Sequence, residues 1–129
     1  MKRDVINDTL VAIKNAESVG KPEVTMGPTS KLLKGVLKIL QDLGYIGDFE
    51  FIDDKKGGKF KIKLIHKVNK CGAIKPRFAV KNDDYERWEQ RYLPARDFGV
   101  MIVSTSSGLM THYESKKKNL GGRLIAYIY

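Results

Sequence analysis

The sequence is poor in cysteine and histidine. Cys71 is the single cysteine of 129 residues, so no internal disulfide can form and a reducing compartment is expected. The two histidines, His66 and His112, stand in no HxxxH spacing, and a metal site would need carboxylates to complete it. We therefore expect neither a disulfide framework nor a bound metal, and no cofactor.

Long apolar runs are also lacking. No stretch reaches the ~18 to 20 consecutive apolar residues of a membrane-spanning helix. The N-terminal segment MKRDVINDTL carries acidic residues where a signal peptide has its apolar core. A basic amphipathic helix with a strong apolar face does not stand out, which argues against a membrane surface as partner. We expect a cytoplasmic protein.

Acidic residues are in short supply. The chain has 24 Lys and Arg against 15 Asp and Glu, which gives a net charge of +9. Residues 67–129 carry 12 basic and 6 acidic side chains, whereas residues 1–66 carry 12 and 9. Five of the six acids of the second half lie within residues 83–97, so the remainder of that half is strongly basic. This asymmetry predicts a surface that faces a polyanion; the alternative is a solvated basic surface without a partner.

Apolar periodicity and turn signals predict an α+β protein of two small α/β lobes. In the N-terminal lobe, residues 1–66, an amphipathic helix over residues 4–17 is followed by a short strand. A second helix, capped by Thr29 or Ser30, runs to a stop at Gly44. A hairpin through DDKKGG completes the αβαββ order.

The C-terminal lobe, residues 67–129, is expected to be mostly β with short helices. The segment AIKPRFAVK alternates so that Lys75, Arg77 and Lys81 share one face of a predicted strand. The segment DDYERWEQRY is typical of a short helix, in which Trp88 is expected to anchor the core. The nearly continuous apolar run FGVMIVS predicts a strand covered on both faces, and RLIAYIY predicts a terminal strand.

Four adjacent hydroxyl residues begin at the last position of the run FGVMIVS. They are Ser104, Thr105, Ser106 and Ser107, and Gly108 comes next. Thr111 and Glu114 form a T-x-x-E capping box, which predicts a short helix running to Asn119. We therefore place this loop between a buried strand and a helix N-terminus, where hydroxyls and backbone amides can hold a ligand.

Three ligand classes fit such a loop. A small phosphate would suit a phosphate-handling enzyme, but the GxxxxGK[ST] lysine is lacking. An acyl substrate would need a serine nucleophile with His112 as base, and no GxSxG elbow is present. RNA fits best, because its shallow minor groove displays 2′-hydroxyls that two-way hydrogen bonders can read while lysines hold phosphates. The remaining alternative, a turn that satisfies its own hydroxyls, needs fewer of them.

These motifs resemble the small-subunit ribosomal protein eight family. The C-terminal stretch VSTSSGLMTHYESKKKNLGGRLIAYIY is similar to its signature of a Ser-Thr-Ser run, a glycine, Met-Thr, a charged helix, Gly-Gly and a terminal strand. DVINDTLVAIKNA resembles the first helix of the family, and PTSKLLKGVLKILQDLGYI resembles its Pro-x-Ser-Lys start of a second helix. The segment DDYERWEQRYLPARDFG looks like archaeal and eukaryotic members.

The resemblance implies a structural, non-enzymatic constituent of the small ribosomal subunit in the cytoplasm. It implies a primary binder of the central domain of small-subunit ribosomal RNA, acting early in assembly beside neighbouring small-subunit proteins. Its own messenger RNA is a further partner that the family analogy allows, and no small-molecule substrate is expected. Carried over by motif position, the expected RNA-binding residues are Ser104, Thr105, Ser106, Ser107, Gly108, Lys14, Asn15, Ser30 and Lys31, with Lys75, Arg77 and Lys81 added from the basic strand.

Overall fold

The computed structural model describes residues 5–55, 57–74, 77–81, 84–95 and 98–129. The chain divides into two compact units, Met1–Asn69 and Lys70–Tyr129. Each unit combines helices with one antiparallel sheet, so the predicted α+β class is confirmed. Among the described helices, none is long and apolar enough to cross a membrane.

The first unit has the predicted αβαββ order. Its elements are α1 (Val5–Ser18), β1 (Glu23–Met26), α2 (Lys31–Asp42), β2 (Ile46–Ile52) and β3 (Lys59–Leu64). The strands form a sheet in the order β1-β3-β2. Alternation along β3 buries Phe60, Ile62 and Leu64 on one face of this sheet and leaves the lysines on the other. Helix α1 contacts β1 and α2 contacts β2, so the helices cover the apolar face.

Helix α2 has well-defined ends. Ser30 is its N-cap, and the Ser30 Oγ accepts the backbone N–H of Leu33 at 3.1 Å. Its predicted apolar stripe is buried, and Gly44, with φ of 80°, follows the last turn. The turn before β3 is tied to the start of α2, because the Thr29 backbone N–H and hydroxyl both donate to the Gly57 carbonyl, at 3.3 and 2.7 Å.

The second unit is a sheet with two short helices. Its elements are β4 (Cys71–Ala73), β5 (Ala79–Val80), α3 (Tyr85–Tyr92), β6 (Val100–Thr105), β7 (Gly108–Thr111), α4 (His112–Lys117) and β8 (Gly122–Ile128). The sheet order is β4-β8-β6-β7, and β5 also pairs with β8. Trp88 of α3 is 7% exposed and packs in the core, as the sequence predicts.

The predicted strand through AIKPRFAVK is interrupted. Strand β4 ends with Ala73 opposite Ala126, and β5 begins with Ala79 opposite Arg123. The chain has five residues, 74–78, where β8 has only two, so the register against β8 shifts between β4 and β5. The prediction of one continuous strand with a basic face is wrong, because the register shift breaks the alternation of side chains between faces.

The surroundings of the serine-rich loop also differ from the prediction. Thr105 pairs with Gly108, so the loop is a two-residue hairpin connection between β6 and β7. Helix α4 begins only after the four residues of β7, where Thr111 Oγ1 accepts the Glu114 N–H at 3.3 Å. The capping prediction is confirmed. The placement of the loop at a helix N-terminus is wrong, because β7 lies between them.

Candidate nucleic-acid interface

The β6–β7 hairpin presents two serine hydroxyls at its tip. Ser106 and Ser107 are both exposed, and within the described part of the chain their hydroxyls make no hydrogen bond. The Thr105 Oγ1, in contrast, donates to the Gly108 carbonyl at 2.9 Å and accepts the Ser107 N–H at 3.1 Å. Thr105 therefore holds the turn, and each of the two serines offers a ligand both a donor and an acceptor in a defined place.

Gly108 is required by the backbone of this turn. Its φ of 108° lies in the left-handed region that glycine adopts without strain. A Cβ at this position would meet no atom within 4 Å, so conformation rather than space selects glycine. The turn thus has a defined backbone shape, and the space around Gly108 remains open.

Ser104 stands beside a basic residue that the sequence patterns do not reveal. It pairs with Arg123 of β8, and direct cross-strand partners share one face of a sheet. Arg123 is exposed, and its Nη1 donates to the Arg77 carbonyl at 3.4 Å. Arg123 therefore lies at the base of the serine hairpin and contacts the backbone of Arg77. In the sequence, Arg123 is recognisable only as the first residue of the predicted terminal strand. The register that places it next to Ser104 depends on how the strands pair, which the sequence pattern does not show.

The basic residues predicted on one strand face are only partly brought together. Arg77 and Lys81 are exposed before and after β5, and Lys75 lies outside the described residues. Arg77 joins the serine hairpin through Arg123. In the described residues no hydrogen bond or ion pair connects Lys81 with this group. The arginine pair is therefore the basic part of the hairpin surface.

The residues predicted in the first unit line two separate clefts. Ser30 and Lys31 line an opening of about 260 Å³ together with Lys34 of α2. Asn15 lines a different opening of about 530 Å³ between α1 and β1, and Lys14 is exposed on the same helix. Lys31 and Lys34 are exposed, and neither forms an ion pair with a described acidic residue. The first cleft therefore carries uncompensated positive charge.

The geometry opposes a serine nucleophile with His112 as its base. His112 is fully buried, and its Nδ1 accepts the backbone N–H of Met101 at 3.0 Å. Ser106 is at the other end of β7, and four strand residues span roughly 13 Å. The imidazole therefore cannot take a proton from Ser106. A phosphate cradle at a helix N-terminus is excluded for this loop as well, because β7 precedes α4.

The sequence that forms these surfaces matches a known protein family. The family described as Ribosomal protein S8 matches residues 4–129. The matched region contains both units, including the serine hairpin and the start of α2.

Proposed function

We propose a function from the premise that the chain belongs to the ribosomal protein S8 family, which matches it over residues 4–129. The family is one of small-subunit ribosomal proteins that act as structural components, not as enzymes. The proposal is that this chain binds small-subunit ribosomal RNA directly. It would hold the central domain of that RNA early in assembly, within cytoplasmic ribosomes.

The serine hairpin is the observation that carries this proposal. A-form RNA exposes 2′-hydroxyls and base edges in a wide, shallow minor groove, which short side chains that both donate and accept can read. Ser106 and Ser107 supply such groups at the tip of the β6–β7 hairpin. Arg123 lies beside Ser104 and contacts the backbone of the exposed Arg77, and guanidinium groups bind phosphates well. Readout and charge are thus combined on one surface.

Further partners belong to the same proposal. Neighbouring small-subunit proteins are expected from the family. A segment of the chain's own messenger RNA that copies the ribosomal RNA shape would fit the same hairpin. The segment that contains α3, Tyr85–Tyr92, resembles archaeal and eukaryotic members of the family, and this resemblance favours a member of that type.

Filter binding to small-subunit ribosomal RNA tests the proposal. The purified protein is titrated at low and at moderate salt, with and without excess transfer RNA as competitor. We expect tight binding that survives both challenges, because hydroxyl contacts to a shaped groove add to the salt-sensitive phosphate contacts. Binding that disappears with the competitor would reduce the basic surface to general polyanion affinity and contradict the proposal.

A further inference from the structure

Phe51 is a large aromatic side chain left exposed at the end of β2. It is 59% exposed, whereas Phe60, its direct partner on β3, is 4% exposed. A single exposed apolar residue is common on protein surfaces, so exposure alone indicates no site. The contacts of the ring distinguish Phe51 from an ordinary exposed side chain.

The Phe51 ring is held in place although it is exposed. Its centroid lies 6.1 Å from that of Phe60 with an angle of 70° between the planes, an edge-to-face arrangement. The ring also covers the backbone of Gly58, where an added Cβ would lie 2.6 Å from the Phe51 Cζ. Phe60 and Gly58 therefore support the ring on its protein side. The exposed remainder of the Phe51 ring is fixed in position, and we call it the aromatic platform.

This platform borders the positively charged cleft at the start of α2. Phe51 and Phe60 line the opening of about 260 Å³ together with Thr29, Ser30, Lys31 and Lys34. Pockets for drug-sized ligands begin at about 300 Å³, so this cleft suits a single planar group. None of the described residues that line it is acidic. Exposed aromatic surface and two lysines thus line a space of that size.

The two acidic residues that follow β2 form no ion pair with Lys31 or Lys34 among the described residues. Asp53 and Asp54 follow β2 in the turn, and their carboxylates accept backbone amides, from Lys55 and Gly58 respectively, both at 2.9 Å. They therefore serve the geometry of the turn. The ammonium groups of the cleft have no carboxylate partner among the described residues, and they favour an anionic ligand.

We propose that this cleft binds one unpaired nucleotide of the RNA, with its base stacked on Phe51 and its flanking phosphates on Lys31 and Lys34. A nucleotide combines a flat π surface with an anionic linkage, which are the two features that the cleft complements. The inference rests on the proposed function, because the nucleotide belongs to the bound ribosomal RNA. It adds a sequence-tolerant stacking contact in the first unit to the groove contact of the serine hairpin.

The test compares full-length variants in RNA filter binding. Phe51→Ala removes the platform, Phe51→Trp keeps a flat ring, and Ile52→Ala is the matched control. Ile52 is 38% exposed, follows Phe51 on the same strand and lies on the opposite face of the sheet. We expect Phe51→Ala to lose about tenfold in affinity with an unchanged salt dependence, since stacking is not an ionic contact. Phe51→Trp and Ile52→Ala should bind as the wild type does.

A second measurement identifies the contact itself. Ultraviolet cross-linking of the wild-type complex should attach a nucleotide to Phe51, within the tryptic peptide 39–55, and the cross-linked nucleotide should be unpaired in the RNA. Specific binding by the wild type together with undiminished affinity of folded Phe51→Ala would overturn the inference and leave the proposed function standing. If Phe51→Ala lost its binding to a neighbouring small-subunit protein but kept its affinity for RNA, that result would also overturn the inference. A wild type without specific RNA binding would overturn both.

Discussion

Ser106 and Thr105 are neighbours in the β6–β7 turn, yet their hydroxyls have different roles. The Thr105 hydroxyl makes two hydrogen bonds inside the turn, whereas the Ser106 side chain is exposed. A change at Thr105 would therefore alter the shape of the hairpin as well as its chemistry. Ser106 is the residue at which the proposed readout of RNA can be tested separately from folding.

Removal of the Ser106 hydroxyl is expected to lower specificity without changing the ionic part of binding. Ser106→Ala should reduce the preference for ribosomal RNA over transfer RNA, because a groove contact is lost. The slope of log K against log salt should stay the same, since no phosphate contact is removed. Competition filter binding at several salt concentrations measures both quantities. Gln90→Ala, at an exposed polar side chain on α3, is the control; a changed slope with retained specificity in Ser106→Ala would contradict the assignment.

His112 supports the second unit from inside. Its ring is fully buried, and Nδ1 accepts the Met101 N–H at the point where β7 has ended and can no longer pair with β6. The Nε2 lies 3.2 Å from the Glu89 carboxylate, which also pairs with Lys116. The imidazole therefore extends the strand ladder by one hydrogen bond and connects it to α3 and α4. This makes His112 a structural residue.

We expect His112→Phe to lower the free energy of unfolding by about 2 kcal/mol, because the buried Met101 amide loses its acceptor while the site stays filled. His112→Asn provides the comparison, since its side-chain oxygen can accept the Met101 N–H but leaves part of the volume empty. Urea unfolding followed by Trp88 fluorescence gives both values. Equal stability of His112→Phe and the wild type would show that this hydrogen bond does not support the fold.

At the scale of elements, the start of α2 combines a folding role with a predicted RNA contact. The Ser30 Oγ caps the helix, so Ser30→Ala should cost about 1 kcal/mol of stability whatever the RNA does. Ser30→Asp keeps a capping oxygen and adds a negative charge at the cleft of Lys31 and Lys34. We expect Ser30→Asp to retain its thermal midpoint and to bind RNA more weakly. Unchanged RNA affinity in Ser30→Asp would leave Ser30 as a cap alone.

The elements that the sequence predicts well are those with local signals. For α2, the apolar stripe, the Ser30 cap and the stop at Gly44 all lie within the segment itself. Strand β7 is only four residues long, and its pairing with β6 is not encoded in its own composition. The predicted cap at Thr111 and the start of the helix are confirmed, but the residues between the loop and the helix are not recognised as a strand. The register shift between β4 and β5 was missed for the same reason, since only the pairing with β8 reveals it.

The candidate functional residues also divide into those with a local sequence signal and those that only tertiary contacts reveal. The serine run is contiguous in sequence and could be found by composition. Arg123 joins it through cross-strand pairing, and Phe51 joins Lys31 through the packing of α2 against the sheet. These two residues therefore needed the tertiary structure. Lys14 and Asn15, predicted by motif position, stay predictions with their own cleft.

At the scale of the whole molecule, the net charge is +9. Each of the two units carries one basic group on its surface. The first unit has Lys31 and Lys34 at the aromatic cleft, and the second has Arg77 and Arg123 at the serine hairpin. If one RNA contacts both groups, the counterions released on binding add up over the two units. The salt dependence of binding thus reports on how much of the molecule is engaged.

We expect neutralisation of either group to lower the salt dependence by a similar amount. Lys31→Gln with Lys34→Gln, and separately Arg77→Gln with Arg123→Gln, should each reduce the slope of log K against log salt by about 1.5, since each phosphate contact contributes about 0.7 to 0.9. The four changes together should reduce it by about twice that amount, because each phosphate contact releases its own counterions. Lys38→Gln is the control: Lys38 lies on α2 but pairs with Asp42 at 3.3 Å, so its loss should change the slope less. A slope that responds to one pair alone would mean that a single unit holds the RNA, and that the other basic group faces solvent.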